Sequence, residues 1–128
     1  MNNISIKFIR LGSIMMALSV ALGAFGAHAL KNLLDERMTA IYNTAVEYQF
    51  YHSLGLLAVA FVANFVESKK VNLAGNIMFV SMFIFSGSLY ILTTTGIKWL
   101  GAITPIGGTG FIIAWLLLAF SLKDLKQN

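Results

Sequence analysis

The sequence predicts an all-α integral membrane protein, a four-helix bundle in which residues 1–128 form a single membrane domain. Hydrophobic residues make up 58% of the chain and charged residues only 11%, whereas an average soluble domain carries about 25% charged residues. The apolar residues are collected in four runs, and each run has the roughly 20 residues that a helix needs to cross the hydrocarbon layer. The predicted spans are about 8–30, 46–66, 73–95 and 104–122.

The ends of these runs carry residues that start and stop helices. Asp35 is expected to cap a short amphipathic lead-in before the second span, and Asn72 is expected to cap the third helix. Gly96 suits the left-handed position that follows a helix. Thr104 followed by Pro105 predicts an N-cap with proline at the first helical position, where no N–H is needed. These capping residues predict one helix for each of the four apolar runs.

The first run also has the features of a secretory signal. Lys7 and Arg10 precede it, and Ala27-His28-Ala29 near its end has the small-residue pattern of a cleavage site. The apolar stretch is long for such a signal. We therefore expect an uncleaved first helix, with a cleaved leader as the alternative.

The basic residues flank the runs and form no stripe with interleaved aromatic residues, so nucleic acid is not an expected partner. With four crossings, the amino terminus, the loop at 67–72 and the carboxyl terminus share one side. That side holds six basic residues and the other side three: Lys7, Arg10, Lys69, Lys70, Lys123 and Lys126 against Lys31, Arg37 and Lys98. Because basic residues collect on the cytoplasmic side, we predict a multi-pass protein of the cell membrane with both termini in the cytoplasm.

Small residues predict where helices pack closely, because backbones approach one another where side chains are short. The first helix has two small-residue faces, which suggests two close neighbours, and further small residues occur in the third and fourth spans. The predicted packing residues are Gly23, Ala24, Gly26, Gly87, Pro105, Gly107 and Gly108. One of the two faces consists of Ala17, Ala21 and Ala24 and ends at His28. His28 is therefore expected to point into the bundle.

Polar side chains in the spans predict a polar site in the outer half of the bundle. The predicted ligand-binding residues are His28, Gln49, His52, Tyr90 and Glu47. Ionisable groups inside a membrane are costly unless they are paired, which makes them candidates for function. The structural alternatives are that His28 and His52 hydrogen-bond between helices and that Glu47 reaches water at the interface.

The sequence also argues against several kinds of chemistry. It contains no cysteine, which excludes disulfides, thiolate metal sites and thiol redox enzymes. Two histidines and one glutamate lack the short spacing of metal ligands, so no metal site is predicted. No phosphate-binding loop or catalytic nucleophile motif occurs. We therefore expect neither an enzyme nor a cofactor.

Four motifs, in order along the chain, resemble one known family. They are Gly23-Ala24-Phe25-Gly26-Ala27-His28-Ala29-Leu30, then Tyr48-Gln49 with His52, then Phe85-Ser86-Gly87-Ser88-Leu89-Tyr90, and finally Thr104-Pro105-Ile106-Gly107-Gly108 with Trp115. The pattern resembles the domain of unknown function 423 family, uncharacterised membrane proteins of the UPF0382 type. The resemblance covers nearly the whole chain. It implies a four-helix integral membrane protein and carries no activity.

Three functions are considered, of which an enzyme at the membrane face with His28 or His52 as base ranks last, because no paired nucleophile motif accompanies either histidine. The first is a non-catalytic bundle in the lipid bilayer that binds a small molecule, a lipid or a protein partner through the polar cluster in its outer half. The alternative is a small proton-coupled exporter, because transporters of the small multidrug resistance type resemble this chain in length and helix count. Such exporters place an essential carboxylate deep in the first helix, where this chain has none. Homo-oligomerisation is left open by the sequence.

Overall fold

The computed structural model describes residues 1–125, which form four long antiparallel helices. The helical segments are α1 (Asn3–His28), α2 (Glu36–Ala63), α3 (Lys69–Met82), α4 (Ser88–Thr95) and α5 (Thr104–Ser121). A π-helical turn at Phe83–Gly87 joins α3 and α4 into one continuous helix, and short 3-10 turns at Lys98–Ala102 and Leu122–Asp124 flank α5. Residues 1–125 contain no strand, so the predicted all-α class is confirmed.

Three of the helical stretches within residues 1–125 are long and apolar enough to cross a membrane: Asn3–His28, Lys69–Thr95 and Lys98–Asp124. The helix α2 is not among them, because its first half carries polar side chains that include Glu47 and Gln49. It nevertheless extends along the whole of α1, from a bond between Asn2 and the Ala63 carbonyl to one between Tyr42 and the Leu22 carbonyl. The structure is thus the helical membrane bundle that the sequence predicts.

The second and third helices begin earlier than predicted. Asp35 does cap α2, since its side chain accepts a hydrogen bond from the Met38 N–H at 2.7 Å. The lead-in, however, is not a separate element, because α2 continues without a break from Glu36. The cap of α3 is Ser68 and not Asn72, which lies inside the helix. Hydropathy locates only the part of a helix that lies in hydrocarbon, and these helices extend beyond it as polar turns.

The predicted signals around α5 are only partly right. Gly96 adopts the left-handed conformation, with φ of 75°, as predicted. Pro105 lies in the first turn of α5, where it starts the helix. Thr104 does not act as the N-cap, because its hydroxyl lies 2.7 Å from the Ser88 hydroxyl and links α5 to α4 instead.

Both described ends of the chain lie at one end of the bundle, which we call the terminal face. The Asn2 side chain donates a hydrogen bond to the Ala63 carbonyl at the end of α2. The Ser68 hydroxyl donates to the Asp124 carboxylate at 2.7 Å, and the Lys70 ammonium lies 3.3 Å from the same carboxylate. Lys126, which contributes to the predicted basic side, lies outside the described residues.

Only one of the two small-residue faces of α1 is used for packing. A Cβ added to Gly23 would lie 3.3 Å from a methyl carbon of Val46, and one added to Gly26 would overlap the Tyr42 ring. In contrast, Ala24 is exposed together with Ala17 and Ala21. The predicted packing role of Ala24 is therefore wrong, because α1 packs mainly on α2 and turns this second face away from the bundle.

The packing predictions for the later glycines have mixed outcomes. A Cβ added to the buried Gly107 would lie 2.6 Å from the Phe85 nitrogen and 2.9 Å from its Cα, so here α5 meets the backbone of the π-helical turn. At Gly108 the nearest atoms would be ring carbons of Phe85 at 3.8 Å, an ordinary contact. At Gly87 no atom from a neighbouring helix within residues 1–125 lies within 4 Å of the added Cβ, so its predicted packing role is wrong.

Candidate functional site

A hydrogen-bonded pair of side chains connects three helices near the middle of the bundle. Gln49 is only 3% exposed, and its Nε2 donates to the Met15 carbonyl of α1 at 3.0 Å. Its Oε1 accepts a hydrogen bond from the Tyr90 hydroxyl of α4 at 2.6 Å. Unpaired polar groups are costly where no water is present, and here each group has a partner. The structure therefore brings Gln49 and Tyr90 together, as the predicted cluster requires.

Three further hydrogen bonds join α2 to its neighbours at nearby levels. The Ser19 hydroxyl donates to the Val46 carbonyl at 3.2 Å, and the Ser86 hydroxyl donates to the Ala45 carbonyl at 2.7 Å. The Tyr42 hydroxyl donates to the Leu22 carbonyl at 2.6 Å. These three hydrogen bonds were not predicted from the sequence. For Ser19 the available signal is a single hydroxyl beside the small residues Gly23 and Gly26 on one face of α1.

His52 has both ring nitrogens engaged. Its Nδ1 lies 2.8 Å from the Tyr48 carbonyl, and a carbonyl only accepts, so Nδ1 carries a proton. The Trp115 indole N–H donates to Nε2 at 3.1 Å, so Nε2 presents a lone pair and the ring is neutral. The ring also stacks on Phe111, with 3.5 Å between centroids. His52 is therefore held in one tautomer and one orientation.

The rings around His52 line a cleft between α2 and α5. The cleft has a volume of about 400 Å³ and is lined by Tyr48, His52, Phe85, Gly108, Phe111, Ile112 and Trp115. Tyr48 is 38% exposed and Trp115 is 40% exposed, so the cleft opens on the outer surface of the bundle, towards lipid. Among residues 1–125, no group hydrogen-bonds the Tyr48 hydroxyl. The cleft is thus an aromatic surface with one phenol free to bind.

His28 does not belong to this site. It is the last residue of α1 and is exposed, on the same outward face as Ala24. The prediction that it points into the bundle and shares a site with His52 is wrong. The physical reason is the one given for Ala24: this face of α1 has no helix beside it within residues 1–125.

Glu47 also lies apart from the cluster, and the depth of the cluster differs from the prediction. The Glu47 side chain is exposed on the side of α2 that faces away from the bundle. Gln49 lies halfway along α2 and bonds to Met15, halfway along α1, while His52 lies nearer the terminal face. The predicted location in the outer half is wrong for Gln49 and His52, because α1 and α2 extend further than their apolar runs.

Comparison with known proteins identifies the family. A family model described as "Protein of unknown function (DUF423)" matches residues 22–108. The chain belongs to the DUF423 family. The match confirms the resemblance found in the sequence, and it covers Gln49, His52 and Tyr90.

Relatives of this DUF423 protein are similar over nearly their whole length. The UPF0382 membrane protein YwdK of Bacillus subtilis (strain 168) is 48% identical over 112 residues, which is 87% of this chain and 91% of the relative. A UPF0382 membrane protein of Staphylococcus haemolyticus (strain JCSC1435) is 47% identical over 114 residues, 89% of this chain and 93% of the relative. No solved structure gives a significant match. Family and relatives therefore establish a membrane protein of unknown function in a lipid bilayer.

Proposed function

We propose that this protein is a non-catalytic membrane protein that binds a lipid-borne molecule in the cleft between α2 and α5. The observation that carries the proposal is the cleft itself: a concave, lipid-facing surface of aromatic rings with one hydroxyl, that of Tyr48, left to bind. Ligand sites are typically concave and mostly apolar, with a few polar groups that fix orientation. The cleft has this composition.

The lining indicates the class of ligand. Phe85, Phe111 and Trp115 offer ring faces and edges to an apolar body, such as an isoprenoid or acyl chain. The Tyr48 hydroxyl offers one hydrogen bond, which an oxygen on that chain satisfies. We therefore propose a chain-like lipid molecule with a hydroxyl or carbonyl oxygen near the aromatic rings.

A catalytic role has little support in this arrangement. Catalytic bases act on a nucleophile or substrate within hydrogen-bond reach, and both nitrogens of His52 are already engaged. The nearby hydroxyl of Ser53 donates to the Gln49 carbonyl of its own helix. The proton-coupled exporter is also less well supported, because Glu47, the one carboxylate level with the middle of the helices, faces away from the bundle.

Fluorescence of Trp115 provides a direct test of the cleft. The chain has two tryptophans, so Trp99→Phe leaves Trp115 as the only one. Titration of this protein in detergent with farnesol, an isoprenoid alcohol, is expected to change the Trp115 emission saturably. Tyr48→Phe is expected to weaken the apparent affinity about 2–10-fold, the usual effect of one hydrogen bond.

A matched pair of leucine variants supplies the control. Gly108→Leu places a side chain in the cleft and is expected to reduce the response about tenfold or more, since a filled pocket excludes its ligand. Thr109→Leu adds the same side chain at the next, exposed position of α5 and is expected to change nothing. A response that does not saturate, or that is equal in both variants, would contradict the proposal.

We also propose that the protein lies in the cell membrane with the terminal face in the cytoplasm. The support is the excess of basic residues on that side and the location of both described chain ends there. A green fluorescent protein fused to the carboxyl terminus is expected to fluoresce in a bacterial host, and an alkaline phosphatase fused there is expected to be inactive. Active phosphatase with a dark fluorescent fusion would place the terminal face outside.

A further inference from the structure

A second cavity lies at the end of the bundle opposite the terminal face, between the start of α2, the helix α4 and the 3-10 turn at Lys98–Ala102. We call it the basic pocket. It has a volume of about 230 Å³, and its lining residues are Arg37, Met38, Ile41, Leu89, Leu92, Lys98 and Gly101. This lining combines two cations with four apolar side chains and contains no carboxylate.

The apolar side chains of the basic pocket come from two helices. Met38 and Ile41 are three residues apart on α2, and Leu89 and Leu92 are three residues apart on α4, so each pair lies on one face of its helix. The two leucines are buried and form the floor, while Met38 and Ile41 are half-buried. The pocket therefore offers an apolar surface that a carbon chain can contact.

The two cations of the basic pocket come from different elements. Arg37 is the second residue of α2 and lies on the same helix face as Ile41, four residues later. The helix α4 ends at Gly96, which has a left-handed conformation, and Lys98 then begins the 3-10 turn. Leu100 of that turn is only 8% exposed and anchors it to the bundle. The exposed Lys98 is thereby placed at the rim of the pocket.

Neither cation is paired with a carboxylate within the described part of the chain. The one ion pair among residues 1–125 joins Lys70 and Asp124 at the terminal face. Asp35 and Glu36 precede Arg37 in the sequence but do not line the pocket. Like charges in one pocket repel each other, and an anion between them is attracted to both. The basic pocket is therefore complementary in charge to an anion.

We propose that the basic pocket binds the negatively charged headgroup of a phospholipid, with the phosphate at Arg37 and Lys98 and the adjoining carbon chain on the apolar floor. A guanidinium binds phosphate oxygens through paired N–H groups, and an ammonium adds a point charge. An amphiphilic anion contacts both parts of the pocket, whereas a soluble anion such as inorganic phosphate contacts only the cations. The apolar lining therefore favours a lipid.

The size of the basic pocket limits what it holds. Its volume is below the roughly 300–1,000 Å³ that is typical of drug-sized ligand sites, so it takes a headgroup and the start of a chain, and the rest of the lipid lies outside it. The proposal is independent of the ligand proposed for the cleft between α2 and α5, because the two cavities share no lining residue.

Native mass spectrometry of the full-length protein, released from nonionic detergent, tests the basic pocket by counting bound lipid molecules. The first molecule of phosphatidylglycerol, which has a net negative charge, is expected to bind about tenfold or more tightly than that of phosphatidylcholine, which has none. Lys98→Gln is expected to weaken phosphatidylglycerol binding about tenfold, the usual effect of one charge-assisted hydrogen bond. Arg37→Gln is expected to weaken it at least as much, because paired N–H contacts are lost.

Lys31→Gln is the matched control for these charge changes. Lys31 is the third basic residue at this end of the bundle, is exposed and does not line the pocket. Its substitution removes the same charge and is expected to leave binding unchanged. Equal weakening by Lys31→Gln and Lys98→Gln would overturn the proposal, because binding would then follow surface charge alone. Equal affinity for the two lipids would overturn it too.

Gly101→Leu tests the apolar part of the basic pocket without changing a charge. A Cβ added to Gly101 would lie 3.6 Å from the Cδ1 atom of Leu92, an ordinary contact, so the new side chain covers the floor. It is expected to weaken phosphatidylglycerol binding about tenfold or more, since a filled pocket excludes its ligand. Unchanged binding in this variant would overturn the proposal.

A thermal melt in detergent distinguishes a lipid from a soluble anion. Phosphatidylglycerol is expected to raise the Tm of the protein, as a ligand that binds only the folded state does. Millimolar inorganic phosphate is expected to leave the Tm unchanged, because it does not contact the apolar floor. An equal rise with inorganic phosphate would assign the basic pocket to a soluble anion and overturn the lipid proposal.

Discussion

Replacing Gly107 by alanine is expected to destabilise the protein by about 2 kcal/mol, within the usual cost of overpacking a well-packed interior. The new Cβ would lie 2.6 Å from the Phe85 nitrogen and 2.8 Å from the Phe85 Cβ. These atoms belong to the π-helical turn, so they move only if α5 and the α3–α4 helix separate. The measurement is the free energy of unfolding from an SDS titration in mixed micelles.

The neighbouring glycine provides the control for this prediction. At Gly108 the added Cβ would meet only ring carbons of Phe85 at 3.8 Å. Gly108→Ala is therefore expected to leave stability unchanged or to raise it by up to about 1 kcal/mol, the gain in helix propensity. An equal loss in the two variants would contradict the close contact between α5 and the π-helical turn.

The second large effect is expected from Gln49→Leu, at about 1–3 kcal/mol. Leucine keeps the approximate size of the side chain but removes both the donor to the Met15 carbonyl and the acceptor of the Tyr90 hydroxyl. The Tyr90 hydroxyl is then left in the apolar interior without its partner. The loss is measured by the same SDS titration.

A double-mutant cycle with Tyr90→Phe isolates the bond between the two side chains. Tyr90→Phe alone removes one hydrogen bond and leaves that between Gln49 and Met15 intact, so its expected cost is smaller, about 1 kcal/mol. In the Gln49→Leu background, Tyr90→Phe is expected to cost much less or to restore stability, because residues in contact are not additive. Strict additivity of the two losses would show that the bond contributes nothing.

The sequence predicts the helical spans well because hydrophobic length is set by the bilayer. It predicts their ends less well, as Glu36 and Ser68 illustrate: polar turns outside the hydrocarbon layer are helical too, and hydropathy does not register them. Because α2 begins at Glu36 and not near residue 46, its midpoint lies earlier in the sequence than the midpoint of the predicted span. Gln49 and His52 therefore lie nearer the middle of the helix than predicted.

Side-chain neighbours are harder to predict than spans. The sequence shows that α1 has two small-residue faces. It does not show that one of them has no helix beside it within residues 1–125, and for this reason the predicted inward orientation of His28 and Ala24 is wrong. The pairing of His52 with Trp115 joins helices that are not consecutive, so it depends on the arrangement of the whole bundle. The contact of Gly107 depends on a π-helical turn that no local pattern in residues 83–87 predicts.

The polar first half of α2 has a consequence for how topology is assigned in such chains. Counting the strongly apolar helices among residues 1–125 gives three, an odd number, which would place the two described ends of the chain on opposite sides of the membrane. The bonds from Asn2 to Ala63 and from Ser68 to Asp124 bring those ends together, which requires an even number of crossings. An assignment based on hydrophobicity alone therefore reverses the sidedness of every loop after α2. Whether the number of membrane crossings is odd or even thus depends on whether α2, the least hydrophobic of the four long helices, is counted.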